Sequence, residues 1–104
     1  MLRGSCLCGG IRYEVSGPLR TPLNCHCSMC RKATGAAFRT RAAVAESDFH
    51  WIAGENLLGR FQSSEFETRT FCSVCGSTLV TLIPRRSEIG LALGIRKDSW
   101  WGGP

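Results

Sequence analysis

Short stretches in which apolar and polar residues alternate dominate the chain. Ile11, Tyr13 and Val15 alternate with polar neighbours, a pattern typical of a half-buried strand. Turn residues, Gly9-Gly10 and Gly17-Pro18, bound this strand on both sides. Alternating or short apolar segments also predict strands at 36–44, 65–71, 78–83 and 89–95.

One segment has a helical pattern instead. Residues 28–34, closed by Gly35, predict a short helix with Ser28 as its N-cap. A further turn of helix is expected at 46–49. Because strands dominate, the sequence predicts a mainly β fold built from small antiparallel sheets.

Length and composition place the chain among small globular domains. Its 104 residues suit a single domain, since domains usually span ~100–150 residues. Apolar residues make up 43% and charged residues 20%, which excludes a disordered tail or a highly charged linker. No apolar run approaches the ~18 residues of a membrane span, and residues 1–6 lack the apolar region of a signal peptide. We therefore expect a soluble, cytoplasmic protein with no membrane partner.

The net charge gives little support for a nucleic-acid partner. The formal charge is +5, but this value counts cysteine as neutral. Seven metal-bound thiolates and two Zn²⁺ ions would reduce the charge to about +2. The longest basic runs are the pairs Arg31-Lys32 and Arg85-Arg86. We therefore do not expect a nucleic-acid partner.

The seven cysteines fall into three tight clusters. An odd number excludes a fully paired disulfide framework, and scattered core thiols would show no regular spacing. The clusters have the spacings C-x-C at 6–8, C-x-C-x-x-C at 25–30 and C-x-x-C at 72–75. Close spacing of soft thiolate ligands is typical of zinc sites. The sequence therefore predicts bound Zn²⁺.

The last cluster has the form of a zinc knuckle. Cys72 and Cys75 are followed by Gly76, which can adopt a positive φ. That conformation lets backbone N–H groups turn back towards a sulfur and stabilise its charge. We expect this turn to supply half of a metal site.

The first cluster is expected to supply the other half. If Cys6 and Cys8 lie on extended chain, both face one metal and Leu7 turns towards the core. Together with Cys72 and Cys75 they would form a closed, structural Cys₄ zinc site. The alternative is a set of inert buried thiols or a disulfide.

The middle cluster differs because it has three cysteines and no eighth cysteine exists to complete it. Cys25, Cys27 and Cys30 with one open position would match zinc sites that carry out catalysis. On extended chain the His26 side chain would point away from the metal that Cys25 and Cys27 bind, and no candidate ligand is next to His50 in the sequence. The alternative is a purely structural zinc whose fourth ligand comes from elsewhere.

Several basic and aromatic residues have two interpretations each. Arg31 and Lys32 follow the third thiolate, where they would hold an anionic substrate or simply be solvated helix residues. Arg39 and Arg41 are further candidates for binding a carboxylate. Trp100-Trp101 would either pack on a sheet or form a binding surface.

Three motifs resemble one protein family. They are GSCLCGGIRY at 4–13, CHCSMCRK at 25–32 and FCSVCGS at 71–77. In this order they resemble the GFA family, the glutathione-dependent formaldehyde-activating enzymes and their relatives such as centromere protein V. A lone C-x-x-C would carry no such information, whereas the combination of three clusters is specific.

The resemblance implies a β-tent fold with two zinc ions, spanning 1–104 as a single GFA-type domain with a short C-terminal segment. The structural ion would be held by Cys6, Cys8, Cys72 and Cys75, and the catalytic ion by Cys25, Cys27 and Cys30. The implied activity is that of a carbon–sulfur lyase that forms S-hydroxymethylglutathione from formaldehyde and glutathione. The implied partners are a small thiol such as glutathione and an aldehyde.

Two other functions compete with the lyase. A non-catalytic, zinc-stabilised protein-binding module would close its second metal site and present a continuous surface patch. A thiol-redox protein would use the C-x-x-C motif at 72–75, but this motif lacks the βαβ context of such proteins.

Overall fold

The computed structural model describes residues 2–97, which form two antiparallel sheets and one short helix. The first half of the chain contains β1 (Leu2–Ser5), β2 (Arg12–Val15), β3 (Arg20–Cys25), α1 (Ser28–Thr34), β4 (Arg39–Ala45) and β5 (Phe49–Ala53). The second half contains β6 (Leu58–Gln62), β7 (Thr68–Cys72), β8 (Thr78–Ile83), β9 (Glu88–Ala92) and β10 (Arg96–Lys97).

The two sheets differ in size. Strands β10-β1-β2-β5 form a four-stranded sheet, and β3-β4-β9-β8-β7-β6 form a six-stranded sheet. The pairings within both sheets are antiparallel. The mainly β fold of small antiparallel sheets that the sequence predicts is therefore confirmed.

The main core lies between the sheets. The four-stranded sheet contributes Tyr13, Val15 and Phe49, and the six-stranded sheet contributes Val44, Val80, Ile89 and Leu91. A second, smaller core consists of Cys6, Ile11, Cys72 and Leu79. Since the main core draws on both sheets, burial of apolar surface fixes how the sheets face each other.

The predicted strands agree with the structure at their centres and differ at their ends. Strand β8 has the predicted bounds, 78–83, whereas β7 starts three residues later than predicted, at Thr68. Phe38 belongs to the predicted strand 36–44 but lies outside β4, and it is 41% exposed. Arg39, which begins β4, is instead only 3% exposed.

The predicted helix is present, but its predicted cap is wrong. Helix α1 starts at Ser28, and the N-cap is Cys27, whose sulfur accepts a hydrogen bond from the backbone N–H of Cys30 at 3.4 Å. A thiolate can act here as the Ser side chain does elsewhere, because the cap position needs only an acceptor for a free N–H group. Gly35 closes the helix as expected. Within residues 2–97, no helix combines the length and apolar character needed to cross a membrane.

The close approach of β1 and β2 yields a first prediction. Gly4 lies opposite Tyr13, and a Cβ at Gly4 would come within 2.2 Å of the Tyr13 ring. That ring cannot yield easily, because it is buried and stacks on Phe49 at 5.1 Å. Overpacking of this kind costs about 3 kcal/mol, so we expect Gly4→Ala to lower the free energy of unfolding by that amount in a denaturant titration.

Gly94 provides the matched control. A Cβ at Gly94 would meet no atom within 4 Å. We expect Gly94→Ala to change the free energy of unfolding by less than about 0.5 kcal/mol. Equal losses in the two variants would show that the Gly4–Tyr13 contact does not determine the effect.

Candidate metal centres

Four cysteines from distant parts of the chain converge at one edge of the molecule. The sulfurs of Cys6, Cys8, Cys72 and Cys75 all lie within 4.8 Å of one another. The Cys6–Cys8 distance is 3.4 Å and the Cys8–Cys72 distance is 3.8 Å. Tetrahedral Zn²⁺ with ~2.3 Å bonds places its sulfur ligands about 3.8 Å apart, so the cluster fits this ion in number, type and spacing of ligands.

A tight turn presents the first two sulfurs. The N–H of Gly9 donates to the carbonyl of Cys6 at 3.1 Å, so Cys6 and Cys8 lie on a turn and not on extended chain. Leu7 is consequently 80% exposed, and the prediction that it faces the core is wrong. Its N–H donates to the Ser77 hydroxyl at 2.9 Å, which ties this turn to the opposite half-site.

The second half-site is the knuckle that the sequence predicts. The N–H groups of Val74 and Cys75 each donate to the sulfur of Cys72 at 3.4 Å. Gly76 has a φ of 78° and donates to the Cys72 carbonyl at 2.8 Å. These bonds supply partial positive charge to the sulfur, as a metal-bound thiolate requires.

The thiols of this cluster differ strongly in acidity. Hydrogen bonding to Ser77 lowers the pKa of Cys75 to about 5. The backbone N–H of Gly10 lowers the pKa of Cys8, but the neighbouring thiols of Cys6, Cys72 and Cys75 outweigh it and raise that pKa to about 11. Because only thiolates bind a metal, protons and a metal ion would compete for these sulfurs, most strongly at Cys8.

The second cluster has three sulfurs. Cys25 ends β3, Cys27 caps α1 and Cys30 lies in its first turn, so one β–α connection carries all three. Their sulfurs lie within 4.8 Å of one another, with 3.6 Å between Cys25 and Cys27. Cys27 is exposed whereas Cys30 is buried, so the cluster is open to solvent on one side.

The pKa values in this cluster follow from its position at the start of α1. The backbone N–H of Cys30 lowers the pKa of Cys27 to about 7. Burial raises the pKa of Cys30, while Arg69 opposes this effect. At neutral pH the exposed sulfur thus has substantial thiolate character, the form that binds metals and attacks electrophiles.

No fourth ligand for this cluster occurs among residues 2–97. No other His, Cys, Asp or Glu within this range joins the three sulfurs. His26 is exposed, with its ring 5.2 Å from that of Phe38, and His50 is exposed on β5. The donor set therefore fits Zn²⁺ with one position left for another ligand.

The basic residues that the sequence analysis singled out differ in burial and in hydrogen-bond partners. Arg31 donates from its Nε to the His26 carbonyl at 3.1 Å and so stabilises the start of the helix. Lys32 is exposed. Arg39 is buried and donates to the Thr81 hydroxyl at 2.7 Å and to the Gly90 carbonyl at 3.4 Å.

Sequence reasoning missed Arg69. Its Nη2 lies 3.7 Å from the sulfur of Cys30, 39 positions away in the chain. No spacing rule connects the two residues, because the contact depends on how α1 packs on the six-stranded sheet. The one sequence feature that bears on Arg69 is the alternation of charged and uncharged residues within 65–71. This alternation indicates a strand but does not indicate which residues its side chains contact.

A hollow lies on the six-stranded sheet beside the cluster of Cys25, Cys27 and Cys30. It has a volume of about 230 Å³ and is lined by Ala33, Arg39, Phe61, Arg69, Thr70, Phe71, Gly76, Thr78, Val80 and Thr81. A more open hollow of about 400 Å³ shares Ala33, Phe61 and Arg69 with it. Together they form an aromatic and basic surface next to the three sulfurs.

Comparison with known sequences assigns the family. The sequence profile described as glutathione-dependent formaldehyde-activating enzyme, GFA, matches residues 1–99. The chain belongs to the GFA family. The resemblance of the three cysteine motifs is thereby confirmed.

Curated relatives of this GFA-family protein support the same assignment. A protein of Halomonas elongata, named provisionally as a glutathione-dependent formaldehyde-activating enzyme, is 33% identical, with 86% of this chain and 60% of the relative covered. An uncharacterized lyase of Schizosaccharomyces pombe is 29% identical, with 73% and 53% covered. The chain thus spans little more than half the length of these curated relatives.

A solved structure supports the same fold. The crystal structure of a Rhodobacter sphaeroides protein superposes with a TM-score of 0.75 at 26% identity. The match covers 98% of the GFA-family chain and 90% of the crystallised one. The two-sheet arrangement is therefore shared over almost the full length of both chains.

Proposed function

We propose that this GFA-family protein is a zinc-dependent carbon–sulfur lyase that acts on the adduct of a thiol and an aldehyde, as in formation of S-hydroxymethylglutathione. The observation that carries the proposal is the cluster of Cys25, Cys27 and Cys30. It is open to solvent, has no fourth protein ligand among residues 2–97 and adjoins a lined hollow. The family description and the names of the relatives support the same chemistry.

The reaction needs little from the protein beyond positioning and charge. In the forward direction the sulfur of the thiol bonds to the aldehyde carbon, and the thiol proton ends on the aldehyde oxygen. A zinc ion at the open site would favour the thiolate form of the substrate and polarise an aldehyde oxygen. Cys25, Cys27 and Cys30 would hold that ion.

The surrounding residues prepare this site. The backbone N–H of Cys30 stabilises the thiolate of Cys27, and Arg69 stabilises that of Cys30. Phe61 and Phe71 line the adjoining hollow and would give the substrate an apolar surface to pack against. The four-sulfur cluster has no free position and would act as a structural zinc site.

We further propose a cytoplasmic location, because glutathione keeps thiols reduced there. The alternative, a non-catalytic zinc-stabilised binding module, stays a prediction. Trp100-Trp101, on which a binding surface would depend, lies outside the described residues.

Exchange spectroscopy tests the lyase proposal. With ¹³C-formaldehyde and glutathione at equilibrium, we expect the protein loaded with two zinc ions to accelerate exchange between free and adduct carbon. Mild chelation that removes one zinc should abolish the acceleration without changing the adduct concentration, because a catalyst leaves the equilibrium unchanged. An exchange rate that is independent of the protein would overturn the proposal for this adduct.

A further inference from the structure

Two arginines share the hollow beside the three-sulfur cluster. Arg69 and Arg39 both line it, and the hollow's lining contains no carboxylate. Arg39 is only 3% exposed, which is unusual for a charged side chain. Among the side chains of residues 2–95 the carboxylate ion pairs are Arg3–Glu14 and Arg20–Glu88, so neither arginine of the hollow has a carboxylate partner there. The thiolate of Cys30 lies beside both arginines and raises the pKa of Arg39.

Each guanidinium also has a buried N–H group without a hydrogen-bond partner in the described part of the chain. In Arg69 this atom is Nη1, while Nη2 bonds to the sulfur of Cys30. In Arg39 it is Nε, while the two terminal nitrogens bond to Thr81 and Gly90. Buried donors are rarely left unpaired, so these two need a partner that the chain itself does not supply.

Charge points to the kind of partner. Three thiolates and one Zn²⁺ ion carry a net charge of about −1. The guanidinium groups of Arg39, Arg69 and Arg41 exceed this by two positive charges, since Arg41 lies close enough to lower the pKa of Arg39 further after burial has lowered it. A substrate that brings a thiolate to the metal and a carboxylate to the hollow would complete the balance.

We propose that Arg69 binds a carboxylate group of the thiol substrate, while Arg39, held by Thr81 and Gly90, adds positive charge to the same hollow. The inference rests on the proposed lyase function and names its substrate class, thiols that carry a carboxylate a few bonds from the sulfur. The Arg69 guanidinium would then donate from Nη2 to the Cys30 sulfur and from Nη1 to the substrate carboxylate. The planar guanidinium suits a carboxylate because it offers parallel donors in a fixed geometry.

Binding of two small thiols to the zinc-loaded protein tests this proposal. The probes are 3-mercaptopropionate and 3-mercapto-1-propanol, which differ in the carboxylate, and calorimetry measures the Kd of each. We expect the wild-type protein to bind the acid at least about tenfold more tightly than the alcohol. Arg69→Gln should reduce this preference below about twofold, because the Kd of the acid rises by a larger factor than the Kd of the alcohol.

Arg60→Gln is the matched control. Arg60 is exposed on β6 and, by strand alternation, faces away from the hollow that its neighbour Phe61 lines. We expect Arg60→Gln to keep the wild-type preference, which excludes a general effect of lost positive charge. Zinc content is measured for every variant.

Two results would overturn the carboxylate site. One is an equal loss of affinity for both thiols in Arg69→Gln, since this would show that the guanidinium serves only the Cys30 thiolate. The other is loss of the second zinc from both Arg69→Gln and Arg69→Lys. If only Arg69→Gln loses zinc, the two Kd values are measured on Arg69→Lys instead. A preference for the acid below about twofold in Arg69→Lys then supports the proposal, because Lys lacks the parallel donors of Arg.

Failure of this inference is distinguishable from failure of the lyase proposal. A protein that prefers the acid through Arg69 but does not accelerate aldehyde exchange keeps the carboxylate site and loses the lyase function. A protein that accelerates exchange of both thiols equally, with or without Arg69, keeps the lyase function and loses the carboxylate site.

Discussion

Replacing Cys6 or Cys75 by serine is expected to leave the chain unfolded or insoluble. The four-sulfur cluster joins the turn after β1 to the turn after β7, and Cys6 and Cys72 are themselves part of a buried core. Binding of a structural Zn²⁺ contributes about 10 kcal/mol or more of apparent free energy at neutral pH. That amount equals or exceeds the whole stability of a typical small domain, so losing one ligand removes the margin for folding.

Far-UV circular dichroism and zinc analysis of the purified variants measure this effect. The control is Leu7→Ala, which changes an exposed side chain between two ligands and should leave both the fold and the zinc content intact. A folded Cys6→Ser protein with a wild-type thermal midpoint would contradict the structural role of this cluster.

Cys27→Ser is expected to have the opposite outcome, a folded protein without catalysis. The three-sulfur cluster lies on the single β–α connection around α1 and joins no distant elements, so the two sheets do not depend on it. A zinc ion supplies several kcal/mol of transition-state stabilisation. Its loss should therefore reduce the protein-dependent rate of thiol–aldehyde exchange by about 1000-fold.

The measurement combines the exchange rate, the zinc content and a denaturant titration. We expect one zinc ion per chain and cooperative unfolding at close to the wild-type stability, because serine can still accept the N–H of Cys30 at this N-cap position. Ser28→Ala is the matched control, since Ser28 is adjacent and exposed but neither caps the helix nor belongs to the cluster. If Cys27→Ser and Cys6→Ser unfold alike, the division into a structural and a catalytic site is wrong.

The local parts of the site could be predicted because they depend on short stretches of chain. The C-x-x-C-Gly turn at 72–76 has few ways to bring two sulfurs together, and the structure shows the expected glycine conformation. The failure at Leu7 has the same origin, since C-x-C allows either an extended chain or a turn. Contacts with Ser77, far along the sequence, select the turn.

The basic hollow could not be predicted because it is a product of packing. Arg39 was a candidate on β4, but Arg69 is on β7, and two strands lie between β4 and β7 in the sheet. Only the strand order and the position of α1 bring both side chains towards Cys30. Sequence spacing carries no information about such contacts, whereas it determines the ligand clusters almost completely.

The split of the four-sulfur cluster between distant segments has a consequence for how the protein would acquire a metal ion. Cys8 and Cys72 are 64 positions apart, so in the unfolded chain each pair meets the other at a low effective concentration. One pair alone would hold zinc weakly, and the four ligands come together only as the two sheets dock. Tight zinc capture and docking of the sheets would therefore occur together, so that a shortage of the ion would leave the chain unfolded and not merely unloaded.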